Sequence, residues 1–147
     1  MNIGNVCTRN PVTVPANEPL SQVARLMHDR HVGTVIVIKK PADRPVPAGI
    51  ITDRDIVRAQ VEHHADLAML NAERVMSREP LVLAEQTPLQ DGIGQLRARG
   101  VRRAPVVDAS GALVGIVSSD DIVGAIADEL ADLARLIARQ PGREGRS

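Results

Sequence analysis

The sequence predicts an α/β (α+β) fold in which one β-α-β-β-α unit occurs twice, and the two pseudo-symmetric units pack sheet to sheet as one module. Residues 49–57 (GIITDRDIV) and residues 115–123 (GIVSSDDIV) share one pattern. Residues 6–11 (VCTRNP) match residues 75–80 (VMSREP) at an offset of 69 residues. Because a solenoid normally needs three or more repeats, two copies predict a single compact unit.

The first elements of the first copy follow from the spacing of its apolar residues. A short strand is predicted at residues 12–14, directly after a proline. Apolar residues recur at helical spacing over residues 19–30, which predicts a helix with one buried face. The β-branched run at residues 34–38 is typical of a buried strand.

A turn precedes the last strand and the last helix of each copy. Residues 39–48 carry three prolines, and the corresponding segment of the second copy, residues 108–114, is three residues shorter. A length change confined to one turn is what a surface hairpin tolerates. A strand at residues 48–52 and a helix over about residues 53–61 complete the first copy.

The second copy repeats these elements and ends in a longer helix. Its predicted elements are a strand at 81–83, a helix at 88–99, strands at 104–107 and 113–117, and a helix from Ser119. An apolar stripe continues along this last helix for more than four turns, at Ile122, Ile126, Leu130, Leu133 and Ile137. Such a stripe predicts a homodimer, since exposed apolar faces mark interfaces. The alternative is a helix that folds back and covers its own core.

These elements define the domain boundaries. The first repeat is predicted to span residues 1–62 and the second, with its extended helix, residues 75–139. Residues 63–74 are predicted as a linker that holds a helical turn around residues 67–70. Residues 140–147 are polar and contain proline and glycine, which predicts a disordered tail.

Composition excludes several classes of function. The net charge is zero, with 18 basic and 18 acidic residues, so no global field attracts nucleic acid or an anionic membrane. The chain has no Phe, Tyr or Trp on which bases could stack. The only cysteine, Cys7, cannot form an internal disulfide, and no apolar run approaches the ~20 residues of a membrane span. We therefore expect a cytoplasmic protein that binds neither nucleic acid nor membranes.

The repeated motif places polar groups where a buried strand meets a helix. Thr52 is followed three positions later by Asp55, and Ser118 is followed by Asp121. One interpretation is a capping box that only starts each helix. The other is a ligand site, because a helix N-terminus favours anions and a hydroxyl there can donate to a phosphate. A neighbouring carboxylate can accept hydrogen bonds from both hydroxyls of a ribose.

Taken together, these motifs resemble a pair of CBS domains (cystathionine-β-synthase-type repeats, together called a Bateman module). The residues that carry the resemblance lie at 49–57, 75–80, 101–108 and 115–123, and the resemblance covers about residues 5–125. It implies a flattened module with two pseudo-symmetric clefts that bind adenosine-containing ligands. It also implies phosphate contacts from Thr52 and Ser118, ribose contacts from Asp55 and Asp121, and base contacts from Val32 and Val101.

Among the differences between the two copies, one adjacent pair of positions bears directly on the ligand. The second has Arg102 and Arg103 where the first has Gly33 and Thr34. Arginine binds phosphate bidentately, so the cleft that these two side chains reach is expected to prefer ligands with more phosphate charge. A solvated charge pair on an edge strand is the alternative interpretation.

Three hypotheses for function follow. The main one is a stand-alone regulatory module, not an enzyme, that binds AMP, ADP, ATP or a related adenosyl compound and signals to an unidentified partner protein by a conformational change. It requires no obligatory cofactor. The second is an oligomerisation scaffold with vestigial clefts. The third is a catalytic or metal-dependent protein that uses the linker histidines His63 and His64 together with His28 and His31, with Cys7 as a further ligand; their spacing fits no structural zinc motif.

Overall fold

The computed structural model describes residues 1–64 and 66–139, and the predicted tail at residues 140–147 lies outside the described residues. Two mixed sheets of four strands each form the centre of the molecule, with helices packed on them. The predicted α/β fold with two related units is therefore confirmed. Within the described part of the chain, none of the helices combines the length and the apolar character that crossing a membrane requires.

Each repeat contains seven helices and strands in the same order. In the first repeat they are α1 (Ile3–Val6), β1 (Thr8–Arg9), β2 (Thr13–Pro15), α2 (Leu20–Arg30), β3 (Thr34–Lys39), β4 (Val46–Thr52) and α3 (Asp53–His63). In the second they are α4 (Ala72–Val75), β5 (Ser77–Arg78), β6 (Leu83–Ala84), α5 (Leu89–Arg99), β7 (Arg103–Val107), β8 (Leu113–Ser118) and α6 (Ser119–Arg139). The predicted helical turn before α4 is present as a 3₁₀ turn at Leu67–Met69.

The two repeats exchange their first strands, which the sequence did not predict. One sheet has the order β2-β3-β4-β5 and the other the order β1-β8-β7-β6. β1 of the first repeat runs antiparallel to β8, with Thr8 opposite Ile116, and β5 of the second repeat runs antiparallel to β4, with Ser77 opposite Ile50. Each sheet is thus completed by the other repeat, which holds the two repeats in one module.

The hydrophobic cores are exchanged in the same way. β3 supplies the centre of the first core, where Val35 and Val37 have no exposed surface, and Met76 of the second repeat packs into the same cluster. The second core, around Leu83 and Val117, contains Ile3 from the first repeat. Because each core contains side chains from the other repeat, we expect the two repeats to unfold together.

Gly115 shows how closely the exchanged strand β1 approaches its partner. A Cβ atom added at Gly115 would lie 2.7 Å from the carbonyl oxygen of Thr8 and 2.9 Å from the sulfur of Cys7. Gly115→Ala is therefore expected to lower the free energy of unfolding by about 1–3 kcal/mol, the usual cost of overpacking, as measured by urea denaturation. Gly94→Ala is the control, since Gly94 lies in α5 with nothing within 4 Å of an added Cβ atom. It should stabilise the protein by up to about 1 kcal/mol. Equal stability of the two variants would show that β1 is loosely packed.

The apolar stripe of α6 leaves the core after its first turn. Ile122 is buried in the second core, whereas Ile126, Leu130, Leu133 and Ile137 are 47–65% exposed. The alternative in which the helix folds back over its own core is therefore wrong. A shallow groove of about 590 Å³ runs along this face, lined by Ile126, Glu129, Leu130, Asp132, Leu133 and Leu136.

Candidate functional site: two related clefts

Two clefts of similar size lie between the repeats. The first cleft has a volume of about 390 Å³ and the second about 360 Å³. The first cleft is lined by Thr8, Asn10, Pro11, Val12, Arg30, Val32, Gly33, Thr34, Ile36, Arg103, Ile116 and Ser118. The second cleft is lined by Thr34, Ile50, Thr52, Ser77, Arg78, Glu79, Pro80, Leu81, Arg99, Val101, Arg102 and Arg103.

The two clefts are related by the internal repeat. The segments from β1 to β2 and from β5 to β6 occupy equivalent places in the first and second clefts. Val32 in the first cleft corresponds to Val101 in the second, and Ser118 of β8 corresponds to Thr52 of β4. Each cleft therefore combines one repeat's first strand with the other repeat's last strand, as a consequence of the strand exchange.

Both strand-to-helix junctions form capping boxes. The Asp55 amide donates to Thr52 Oγ1 at 3.2 Å, and the Thr52 amide donates to Asp55 Oδ2 at 2.8 Å. The second junction repeats this, with 3.1 Å from the Asp121 amide to Ser118 Oγ and 3.0 Å from the Ser118 amide to Asp121 Oδ2. The capping interpretation is therefore confirmed, and it leaves the hydroxyl hydrogens and Oδ1 of each carboxylate for other partners.

Six of the eight predicted ligand-binding residues line the clefts. Thr52, Val101 and Arg102 line the second cleft, Val32 and Ser118 line the first, and Arg103 lines both. The other two, Asp55 and Asp121, line neither cleft; each carboxylate is hydrogen-bonded to the junction residue that does, Thr52 or Ser118, so their ribose contacts stay a prediction. Asp55 also borders a separate cavity of about 120 Å³ that contains Arg58, Glu62, His63 and Arg74.

The clefts differ in the number of arginines that line them, and the second cleft also contains the acidic Glu79. Arg30 and Arg103 line the first cleft, whereas the second has four arginines, Arg78, Arg99, Arg102 and Arg103. Arg102 lies 3.8 Å from Asp120 and within 3.5 Å of Ser119 Oγ. Arg78 and Arg99 were not predicted from the sequence, although Arg99 stands 69 residues after Arg30, the offset of the repeat. β7 lies between β8 and β6, so Arg103 does not lie on an edge strand, and Arg102 directly precedes β7; both side chains are exposed, as the alternative of a solvated charge pair predicts.

A second missed feature is a pair of residues with left-handed backbone. Asn10 has φ 56° and Glu79 has φ 50°; they are equivalent by the repeat, and both line the clefts. Each precedes the proline that leads from the exchanged strand into the cleft wall. Non-glycine residues in this region are uncommon and concentrate at functional sites. The Asn-Pro and Glu-Pro pairs in equivalent positions were a signal that the sequence offered.

The residues considered for metal binding do not come together. Among residues 1–64 and 66–139 there is no group of three or more His, Cys, Asp or Glu side chains that could hold a metal ion. Burial raises the pKa of the Cys7 thiol, which disfavours the thiolate that a metal or a nucleophilic reaction requires.

Two intertwined repeats with equivalent clefts between them define a tandem-repeat module with two candidate ligand sites. The model of the CBS domain matches residues 3–62 and again residues 72–128. The chain therefore belongs to the CBS domain family, with two copies of the domain, as its sequence motifs indicated.

Individual relatives share the fold and much of the length. The CBS domain protein PAE2072 from Pyrobaculum aerophilum, complexed with AMP, is 27% identical, with a TM-score of 0.73 over 90% of this chain and 99% of that one. CBSX2, solved in complex with AMP, is 25% identical, with a TM-score of 0.72 over 86% of this chain and 96% of that one. Protein MK0525 from Methanopyrus kandleri is 28% identical over 123 residues, which are 84% of this chain and 61% of that protein.

Proposed function

We propose that this protein is a regulatory module, without catalytic activity, that binds an adenosine-containing ligand in the clefts between its two CBS domains. The observation that carries the proposal is the equivalence of the two clefts. Each has a hydroxyl residue at a helix start, Ser118 or Thr52, and an aliphatic residue, Val32 or Val101. Duplication of the same polar and apolar groups around an open volume supports a ligand site more strongly than a capping role, which needs no cleft.

The chemistry of the first cleft fits a nucleoside phosphate. Val32 and Ile116, which are half-buried, offer an aliphatic environment for a base, as a chain without aromatic residues requires. Ser118 stands at the N-terminus of α6, where a phosphate is favoured. Oδ1 of Asp121 is left to accept from a ribose hydroxyl, since Oδ2 is engaged by the Ser118 amide. The AMP in PAE2072 and CBSX2 supports an adenosyl ligand in this chain.

The second cleft has the same arrangement with more positive charge. Thr52 and Asp55 take the places of Ser118 and Asp121, and Arg78, Arg99 and Arg102 add cationic groups around it. Guanidinium groups bind phosphate bidentately and with strong charge-assisted hydrogen bonds. We assign the second cleft to the ligand with more phosphate charge.

The strand exchange explains how such binding would be transmitted. Both walls of each cleft include residues from both repeats, so a bound ligand contacts the two repeats at once. A ligand shifts a conformational equilibrium only if it binds the two states differently, and a ligand that bridges two repeats depends on their relative position. The change would be read by a partner protein.

We also propose a homodimer that forms through α6. Its 21 residues span about 31 Å, and the exposed stripe continues almost to its end. A twofold axis across this face would bury the stripe of one chain against that of its copy. The same stripe favours the second candidate function, an oligomerisation scaffold whose clefts stay empty.

Titration with defined ligands distinguishes the two functions. AMP, ADP, ATP, S-adenosylmethionine and NAD should be tested by calorimetry and by thermal unfolding, with ribose 5-phosphate as a control that lacks the base. A ligand at 100 times its dissociation constant should stabilise the folded protein by about 2.7 kcal/mol. Ribose 5-phosphate should bind more weakly, because it leaves the aliphatic part of the cleft unfilled. If none of the adenosyl compounds binds, the ligand-sensing function is wrong and the scaffold function stands.

A further inference from the structure

The two clefts meet at the beginnings of β3 and β7. Thr34 and Arg103, the first residues of these strands, each line both clefts. They are equivalent by the repeat, so they face each other across its pseudo-twofold axis. In the sheets Thr34 is paired with Thr52 and Arg103 with Ser118, which places each beside one of the junction hydroxyls. These two side chains separate the clefts, and we call the pair the partition. Thr34 contributes a short hydroxyl group to it, and Arg103 contributes a long cationic side chain.

Arg103 is less constrained than the arginines that line the second cleft alone. Arg99 donates to the carbonyl oxygen of Glu79, Arg78 donates to that of Glu73, and Arg102 is held near Ser119 and Asp120. Arg103 is exposed, and within residues 1–64 and 66–139 no hydrogen bond or ion pair holds its guanidinium group. Because Arg103 lines both clefts and is not held by other groups, its side chain is free to turn toward a ligand in either one.

We propose that Arg103 is a phosphate ligand shared by the two clefts, so that phosphate binding in one weakens phosphate binding in the other. This inference rests on the proposed function. A guanidinium group that binds one phosphate bidentately is drawn to that side of the partition, which takes its charge and its remaining N–H donors away from a phosphate in the other cleft. Thr34, on the opposite side, supplies no replacement charge. By linkage the effect is reciprocal: each cleft lowers the affinity of the other by the same factor.

Removal of Arg103 should affect the clefts unequally. The first cleft keeps only Arg30 among the arginines that line it, whereas the second keeps Arg78, Arg99 and Arg102. The intrinsic affinity of the first cleft for a phosphate should therefore fall more. The coupling between the clefts should disappear in both directions. Linkage requires each cleft to change the affinity of the other by the same factor, so the coupling cannot persist in one direction only.

A site-resolved titration tests the inference. The methyl NMR signals of Val32 report the first cleft and those of Val101 the second, since each lines one cleft only. With AMP as the probe, filling one cleft of the unaltered protein should raise the apparent dissociation constant of the other about tenfold, within the usual range of allosteric coupling. Both isotherms are then broadened. In Arg103→Gln each isotherm should become a simple hyperbola.

Two controls isolate the guanidinium group and the phosphate. Arg102→Gln removes a cation that lines only the second cleft, so it should weaken AMP there and leave the coupling unchanged. Adenosine lacks the phosphate and should give hyperbolic isotherms in the unaltered protein. AMP coupling that persists in Arg103→Gln, or equal coupling with adenosine, would overturn the role of Arg103.

The remaining outcomes also decide between the proposals. Hyperbolic AMP isotherms in the unaltered protein show independent clefts and overturn the inference alone. If only one cleft responds in the unaltered protein but both respond in Arg103→Gln, the coupling is strong and the inference holds. If one cleft responds in both proteins, the inference fails while the ligand-binding function stands. If neither responds to AMP or to the other adenosyl compounds, both proposals fail.

Discussion

Ile126→Asp combined with Leu133→Asp is expected to convert a dimer of the 15.8 kDa chain into a folded monomer. Both side chains lie in the exposed stripe of α6, with 47% and 51% exposed surface, so the isolated chain tolerates a charge at either position. In the proposed dimer each aspartate would be buried without a partner, and the carboxylates of the two chains would bring like charges together across the twofold axis. Light scattering at tens of micromolar protein measures the mass.

A matched variant separates loss of the stripe from added charge. Ala131→Asp with Ala138→Asp adds the same charge to the same helix at the same seven-residue spacing. These positions lie about 140° around the helix axis from Ile126 and Leu133, so this variant should remain dimeric. Circular dichroism should show both variants folded. A monomeric unaltered protein, or a dimer that survives the stripe substitutions, contradicts pairing through α6.

The sequence predicted the elements because each is a local pattern that occurs twice. The apolar spacing of α2 and the β-branched run of β3 predicted elements whose ends are displaced by at most one residue. The exchanged strands β1 and β5 were missed because two residues carry no periodicity. Their pairing is also decided by a partner far along the chain: Arg9 pairs with Gly115. A local pattern cannot reveal which of two similar sheets such a strand joins.

The sequence predicted those residues of the candidate site that lie in the duplicated junction motif. It did not predict the residues that reach a cleft only because the two repeats pack together. Thr52 and Ser118 were singled out by the duplicated junction, and each lines a cleft. Arg78 lies outside that motif and reaches the second cleft only because β5 joins the sheet of the first repeat. Likewise, the sharing of Arg103 depends on how the two sheets face each other. Because it is an arginine, Arg103 was predicted to bind phosphate. The packing of the two sheets determines that it lines both clefts.

Asp121→Ala is expected to weaken an adenosyl ligand in the first cleft by about 1.5–3 kcal/mol, the scale of hydrogen bonds to a charged group. Oδ2 of Asp121 accepts from the Ser118 amide at 3.0 Å, so the substitution also removes half of the capping box. Loss of the cap alone costs about 1 kcal/mol of folding stability. Calorimetry with AMP measures the first effect, and thermal unfolding of the ligand-free protein measures the second.

Two further substitutions separate binding from capping. Asn71→Ala removes the side chain that caps α4, where Asn71 Oδ1 accepts from the Arg74 amide at 3.1 Å, and neither residue lines a cleft. It should lower stability and leave AMP affinity unchanged. Asp121→Asn retains a side-chain oxygen for the Ser118 amide but turns a donor toward the ribose, so it should keep most of the stability while still losing affinity. If Asp121→Ala melts lower yet binds AMP as tightly as the unaltered protein, the carboxylate serves only to start α6, and the ribose must be held by other groups of the first cleft.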